Sequence, residues 1–304
     1  MDSKYRIITL IVLIALACAG AATAKVKASG GQTMDTVRDH LWIWCHDAGA
    51  NNGQYSLQGE SRMTPSEAAF YLDVPNALMV VYGGKPEPPF DKLSIAFKPL
   101  KRVVWSIVGD SSSLRNNEAT DLGEVTSLAP KFPNITGGIM DDFFHPKNDK
   151  GEVARYSPSD IKGFRDQLHK TAKGLDLWVV VYTHDLELPI RAHVDNCDVV
   201  TFWTWNAAGL VDLEKNFERL EKVVGPEKRK MLGCYMWDFG SGKPIPLETM
   251  KKQCELGLKW LKEGRIEGMI FLSSVICDLE LEMVEWTREW IAQVGDQPLS
   301  GQKK

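Results

Sequence analysis

The chain has 304 residues, which is enough for one large domain or two ordinary ones. Apolar residues make up 44% of it and charged residues 25%, a composition typical of globular proteins that excludes a disordered or fibrous chain. Lys and Arg number 36 against 40 Asp and Glu, and the resulting net charge of −4 argues against a surface that binds nucleic acid through its phosphates.

The first 24 residues have the pattern of a secretory signal peptide. Lys4 and Arg6 precede an apolar run over residues 7–17, and small residues follow as far as Ala24. We expect cleavage after Ala24 and export of the protein, with residues 25–39 as a flexible lead-in. Lipidation at Cys18, in an imperfect bacterial lipobox, and an uncleaved membrane anchor are the alternatives. We expect no membrane span after the signal peptide.

From residue 40 onward, short β-rich runs alternate with amphipathic helical patterns. Runs such as Trp178–Val181 are apolar on both faces, which is typical of parallel strands covered by helices. The predicted strands span residues 41–45, 77–81, 102–108, 137–140, 177–182, 199–203, 231–236 and 268–272.

The segments between these strands carry signals for helix ends. Thr64 and Glu67 form a capping-box pattern, and Gly225 is the predicted stop of another helix. The second and fifth helices, near residues 90–97 and 189–194, are predicted to be short. A last helix is expected to cover the eighth strand.

Regular alternation of strands and helices predicts a parallel sheet, and eight units in about 250 residues match the size of a (β/α)8 barrel. A doubly wound open sheet is the alternative. However, the first strand is followed by His46-Asp47-Ala48-Gly49 instead of the glycine-rich phosphate turn of that fold. We therefore predict an α/β chain with one domain, a TIM barrel over residues 40–295, and a C-terminal tail over residues 296–304.

Chemistry in a TIM barrel lies at the C-terminal ends of the strands. The residues that follow the predicted strands are rich in carboxylates and aromatic rings. Glycoside cleavage needs both: a pair of carboxyl groups at the scissile bond, and flat faces against which sugar C–H groups pack. The candidate catalytic residues are Asp141, Asp142, Asp185 and Asp238. The candidate substrate-binding residues are His46, Asp47, Tyr82, His184, Trp203, Trp205, Asn206, Tyr235 and Trp237.

The segment Gly138–Pro146, with the sequence GIMDDFFHP, resembles the strand-four D-D-Y-F motif of glycosyl-hydrolase-like TIM barrels. Most of residues 40–294 is similar to uncharacterised secreted bacterial proteins of this class. The resemblance implies a barrel with an acidic pair in its active-site cleft and a role for Asp141 or Asp142. The Asn-Glu pair on strand four and the Glu on strand seven, which mark the largest retaining glycosidase clan, are missing.

Two expectations concern side-chain direction. Adjacent strand residues point to opposite sides, so only one of Asp141 and Asp142 is expected to face the cleft while the strand continues. We favour Asp142 because it lies further past the strand end. Trp203 and Trp205 are separated by one residue and are expected to share a side, either as a sugar platform or as a plug of the barrel top.

The leading prediction is a secreted glycoside hydrolase that acts on an oligosaccharide or glycan. We predict no cofactor, no nucleic-acid partner and no transmembrane partner. Asp142 or Asp141 would pair with Asp238, and Asp185 would be a third acid. A metal-dependent hydrolase or deacetylase is the second hypothesis, and a barrel that binds glycans without cleaving them is the third. The metal ligands would come from His46, Asp47, Asp142, His145, His184 and Asp185.

Overall fold

Eight parallel strands close into a barrel in which each strand pairs with its neighbour in the chain, and the last pairs with the first. The computed structural model describes residues 35–109 and 121–299. The predicted signal peptide, with its Cys18, lies outside this part of the chain. The strands are β1 Leu41–Cys45, β2 Asn76–Met79, β3 Arg102–Val108, β4 Ile135–Met140, β5 Asp176–Tyr182, β6 Val199–Trp203, β7 Arg229–Tyr235 and β8 Gly268–Leu272.

One helix follows each strand and packs against the outside of the barrel, which confirms the predicted single-domain (β/α)8 fold. The second and fifth helices are short, as predicted. The helices are α1 Pro65–Tyr71, α2 Asp91–Ala96, α3 Leu122–Leu128, α4 Pro158–His169, α5 Arg191–Val194, α6 Leu213–Val224, α7 Leu247–Lys262 and α8 Glu282–Val294.

The helix ends follow the local chemistry of the sequence. The Thr64 hydroxyl accepts a hydrogen bond from the Glu67 N–H, and the Glu67 carboxylate accepts one from the Thr64 N–H at 2.8 Å. The capping box at α1 is therefore present. Gly225 ends α6 with a φ of +86°, a left-handed conformation in which other residues are strained.

Part of the predicted flexible lead-in is ordered. A 3-10 helix spans Val37–His40, and Val37 is fully buried. The Arg38 N–H donates to the Gly295 carbonyl at 2.8 Å, and Thr36 pairs with Pro298. The segment before β1 is fixed because it packs on the end of α8, a long-range contact that the local sequence does not reveal.

The barrel interior is filled by large aromatic side chains. Trp203 of β6 lies inside, where any β-carbon at Gly233 of β7 would collide with its ring. The Trp42 and Trp178 rings of β1 and β5 meet lower in the barrel, with centroids 5.2 Å apart. A large ring on one strand thus fills the space that a glycine leaves on the next, and the core is packed. Within residues 35–109 and 121–299 there is no helix long and apolar enough to cross a membrane.

Candidate active site

A cavity opens at the C-terminal ends of the strands, and its walls hold two carboxylates among aromatic rings. Its volume is ≈ 70 Å³. The lining residues are Trp44, His46, Asn51, Tyr55, Tyr82, Asp141, Asp142, Tyr182, Trp205, Tyr235, Phe239 and Leu272.

Asp141 and Asp142 both line the cavity, contrary to the expectation that only one would. β4 ends at Met140, and the backbone of Asp142 then turns into the left-handed region with a φ of +41°. This turn breaks the alternation of side-chain direction that a continuing strand would impose. Within the pair, an Asp141 carboxylate oxygen accepts a hydrogen bond from the Asp142 N–H at 2.9 Å.

The Tyr182 hydroxyl donates a hydrogen bond to the Asp142 carboxylate at 2.8 Å. Burial raises the pKa of Tyr182 well above its usual value, and the nearby Tyr235, Asp141 and Asp142 act in the same direction. Burial also raises the pKa of Tyr235, with further contributions from Asp142 and Asp141. Both phenols therefore keep their protons at neutral pH, and Tyr182 serves as a hydrogen-bond donor to Asp142.

The wall formed by β1 and β2 carries His46 and Tyr82, whose rings stack at a centroid distance of 4.9 Å. The Trp44 indole N–H donates to His46 Nε2 at 2.9 Å. Because Nε2 accepts this bond, the neutral imidazole carries its proton on Nδ1. Trp44 and His46 are two residues apart and share the inner side of the strand end.

The loop from β1 to α1 reaches across the rim, and we call residues 46–64 the rim strap. The Tyr55 hydroxyl lies 2.9 Å from the Tyr82 hydroxyl, beyond β2. On the opposite side, the Trp237 indole N–H donates to the Tyr55 carbonyl at 3.1 Å, and the Tyr55 ring meets Phe239 edge-on. The rim strap is therefore held by the loops after both β2 and β7.

The two other candidate acids lie outside the cavity lining and bond to backbone. The Asp238 carboxylate accepts hydrogen bonds from the N–H groups of Ala207 and Ser241, at 3.1 and 3.0 Å. Asp185 is 1% exposed and accepts from the Tyr182 N–H at 2.7 Å. Burial raises the pKa of Asp185. These contacts organise the loops after β5, β6 and β7, and a catalytic role for either residue stays a prediction.

The structure separates the three candidate tryptophans. Trp205 lines the cavity and is 39% exposed, as a sugar platform requires. Trp203 is 1% exposed and donates its indole N–H to Thr201, so it belongs to the barrel core. β6 ends at Trp203, and the expected shared side does not extend to Trp205. Trp237 is buried beneath the rim strap.

The remaining candidates divide between the cavity and the outer surface. His46, Tyr82 and Tyr235 line the cavity. The exposed His184 ring stacks on Tyr182, and the exposed Asn206 caps a 3-10 helix by accepting from the Gly209 N–H. Asp47 is half-buried in the turn that begins the rim strap. The proposed metal ligands do not converge: no metal-binding group of three or more His, Cys, Asp or Glu occurs in residues 35–109 and 121–299.

Several lining residues were absent from the sequence-based candidates. Trp44 was missed because it lies inside a strand, although it is two residues before His46. Asn51, Tyr55 and Phe239 lie in irregular loops, where no periodic pattern predicts side-chain direction. Their position follows from the path of the rim strap, which depends on long-range hydrogen bonds.

Solved structures share this barrel at low sequence identity. A Bacteroides thetaiotaomicron protein assigned as an alpha-L-fucosidase aligns with a TM-score of 0.53 and 9% identity, over 86% of this chain and 97% of that one. A family 18 chitinase from Crocus vernus aligns with a TM-score of 0.49 and 8% identity, over 83% and 99%.

A tryptophan synthase structure from Pyrococcus furiosus is also similar, with a TM-score of 0.44 and 10% identity over 86% and 99% of the two chains. At identities of 8–10%, these likenesses show the fold alone. No protein-family model matches the chain, and no curated protein matches it either.

Proposed function

We propose that the protein is a secreted glycoside hydrolase whose active site is the rim cavity. The observation that carries the proposal is that Asp141 and Asp142 both line one aromatic-walled cavity at the end of β4. Carboxyl groups supply the proton transfer and charge stabilisation of glycoside cleavage, and aromatic faces hold sugar rings. The half-exposed Trp205 is the proposed platform for the part of the substrate that extends beyond the cavity.

Within the pair, Asp142 is the proposed general acid. Asp141 accepts the Asp142 N–H, which stabilises Asp141 as an anion. Repulsion between like charges opposes ionisation of both carboxyl groups at once, so one of the pair keeps a proton, and in this proposal that group is Asp142. This proton passes to the glycosidic oxygen as the bond to the anomeric carbon breaks, and the Asp141 carboxylate stabilises the positive charge that develops on the sugar ring. Water completes the hydrolysis, and one of its protons returns to Asp142.

Tyr182 is the proposed positioning residue of Asp142. Its phenol is held neutral by burial and by neighbouring negative charge, so it donates to Asp142 throughout the working pH range. Asp185 in turn accepts the Tyr182 N–H and fixes the end of β5. In this proposal Asp185 and Asp238 shape the rim instead of meeting the substrate.

Export through residues 1–24 is part of the proposal. Basic residues, an apolar run and a small-residue end are the features that support it. Mass spectrometry of the exported protein would test it: an N-terminus at Lys25 is expected, and a lipid-modified Cys18 would indicate anchoring instead.

The function is tested by incubating the protein with aryl glycosides of both anomers and with a panel of oligosaccharides, followed by mass spectrometry of the products. Release of a free sugar by the wild type, and its loss in Asp142→Asn, is the expected result. A non-catalytic glycan-binding barrel would instead bind a glycan equally well in both proteins and release nothing. Cleavage that persists unchanged in Asp142→Asn would contradict the proposed acid.

A further inference from the structure

The rim strap brings one buried polar atom into the cavity wall without a partner. Asn51 is 2% exposed and lines the cavity. Its Oδ1 has no hydrogen-bond partner within the described ranges 35–109 and 121–299. An acceptor buried without a donor costs stability, and native proteins nearly always provide the missing donor. The atom therefore indicates a donor that the described residues do not supply.

The side chain of the neighbouring Asn52, in the same turn, has a structural role. The Asn52 side chain donates to the Ser61 carbonyl at 3.1 Å and accepts from the Ser61 N–H at 2.8 Å. These two bonds close the rim strap on itself. The Asn51 carbonyl accepts from the Gln54 N–H at 3.0 Å, so the backbone that presents the Asn51 side chain is fixed as well.

We propose that Asn51 is a substrate-binding residue whose amide oxygen accepts a hydrogen bond from a hydroxyl group of the bound sugar. The proposal rests on the glycoside hydrolase function proposed above. Asn51 follows β1, whereas Asp141 and Asp142 follow β4, three strands further around the rim. Asn51 therefore recognises a different edge of the sugar from the one at which the bond is cleaved.

Such a contact determines specificity. A sugar that lacks this hydroxyl would displace water from the cavity and leave Asn51 Oδ1 without a donor. Sites of this kind reject the incomplete ligand strongly. Asn51 is thus expected to contribute to substrate affinity and discrimination, with little part in proton transfer.

The first test compares Asn51→Leu with Asn52→Leu. Leucine has a similar size and no polar atom, so Asn51→Leu should keep or raise the melting temperature while KM for the cleaved glycoside rises by about tenfold. Asn52→Leu breaks two hydrogen bonds and should lower the melting temperature. A lower melting temperature with an unchanged KM in Asn51→Leu would overturn the proposal, because it would assign Asn51 a structural role.

The second test measures kcat/KM for singly deoxygenated substrates with the wild type and with Asn51→Leu. For one deoxy sugar, kcat/KM of the wild type should be lower by about tenfold or more than for the complete sugar. Asn51→Leu should show no such difference, because the two groups that contact each other are then both absent, as in a double-mutant cycle. Equal discrimination by both proteins against every deoxy sugar would refute the Asn51 contact and leave the hydrolase function standing. A wild type that cleaves no glycoside would refute the hydrolase function itself.

Discussion

At the scale of single residues, Asp142 departs from the backbone conformation of a continuing strand. A residue other than glycine with a φ of +41° is uncommon, and such backbone strain concentrates at functional sites. The same residue lines the cavity and accepts a hydrogen bond from the half-buried phenol of Tyr182. The turn brings two carboxylates to one cavity, which an extended strand cannot do.

Substitutions of Asp142 and of Tyr182 should lower kcat/KM by different factors. Asp142→Asn should lower kcat/KM by about 10²–10⁴, the usual range for loss of a general acid. Tyr182→Phe should lower it by about tenfold. Because the lost hydrogen bond favours the ionised carboxylate, the alkaline limb of the Tyr182→Phe pH–rate profile should move to higher pH.

The matched control is Tyr71→Phe, because the Tyr71 hydroxyl also bonds to a carboxylate, that of Glu285, at a distance from the cavity. Its kinetics should equal those of the wild type. A Tyr182→Phe profile that coincides with the wild-type profile would remove Tyr182 from the mechanism.

Substitution of Trp203 should affect stability, whereas substitution of Trp205 should affect substrate binding. Trp203→Ala should lower the free energy of unfolding by about 3–5 kcal/mol, since it empties the barrel core. Trp205→Ala should leave stability nearly unchanged and raise KM by about three- to tenfold, since it removes an exposed ring. Urea denaturation and steady-state kinetics on both variants check this, and a stable Trp203→Ala with a raised KM would reverse the assignment.

At the scale of elements, the rim strap is the feature that turns the barrel end into a walled cavity. It is attached through Tyr55 to the loops after β2 and β7, which are three strands apart around the barrel. The Tyr82 hydroxyl also donates to Gln54 at 2.7 Å, so the β2 side has two hydrogen bonds, whereas Trp237 supplies one on the β7 side. The strap is therefore easier to loosen than the barrel beneath it.

Trp237→Phe should loosen the rim strap without unfolding the barrel. The variant loses the bond to the Tyr55 carbonyl and about 1 kcal/mol of stability, while KM rises several-fold. Limited proteolysis should then cut the strap faster than in the wild type. Trp286→Phe, on the outer helix α8, is the control, and equal cleavage of all three proteins would show that this bond does not hold the strap.

At the scale of the whole molecule, Asp198 joins helix and barrel at the end opposite the cavity. It accepts hydrogen bonds from Arg165 and His169 of α4 and from the Leu177 N–H of β5. Burial opposes its ionisation, but the hydrogen bonds from Arg165, Leu177 and His169 outweigh burial and lower the pKa of Asp198. A carboxyl group whose pKa falls on folding stabilises the protein at pH values above its ordinary pKa of 3.8. This stabilisation is lost as the pH drops below 3.8.

Asp198→Asn should therefore lower the free energy of unfolding by about 1.5–3 kcal/mol at pH 7, and the difference from the wild type should shrink below pH 3.8. Urea denaturation at pH 7 and pH 3 measures both values. Asp166→Asn, which breaks the exposed pair with Lys162, should leave stability nearly unchanged at either pH. A difference that stays constant with pH would show that the charge of Asp198 does not contribute.

The overall fold was predictable because each strand is a short apolar run and each helix carries its own apolar face. The acidic pair after β4 was predictable because chemistry in a barrel lies at strand ends. The position of Trp203 in the barrel core was not predictable in this way. The alternation of side-chain direction holds only within a strand, and β6 ends at Trp203. Asn51 and Tyr55 were not predictable either, because tertiary hydrogen bonds and not local periodicity determine the path of the rim strap.

The most direct test of the central claim is hydrolysis in ¹⁸O-labelled water by the wild type and by Asp142→Asn, with mass spectrometry of the released sugar. We predict that the wild type places the label on the anomeric carbon and that Asp142→Asn releases labelled sugar at least about a hundredfold more slowly. Release of labelled sugar by Asp142→Asn at the wild-type rate would contradict the proposed site.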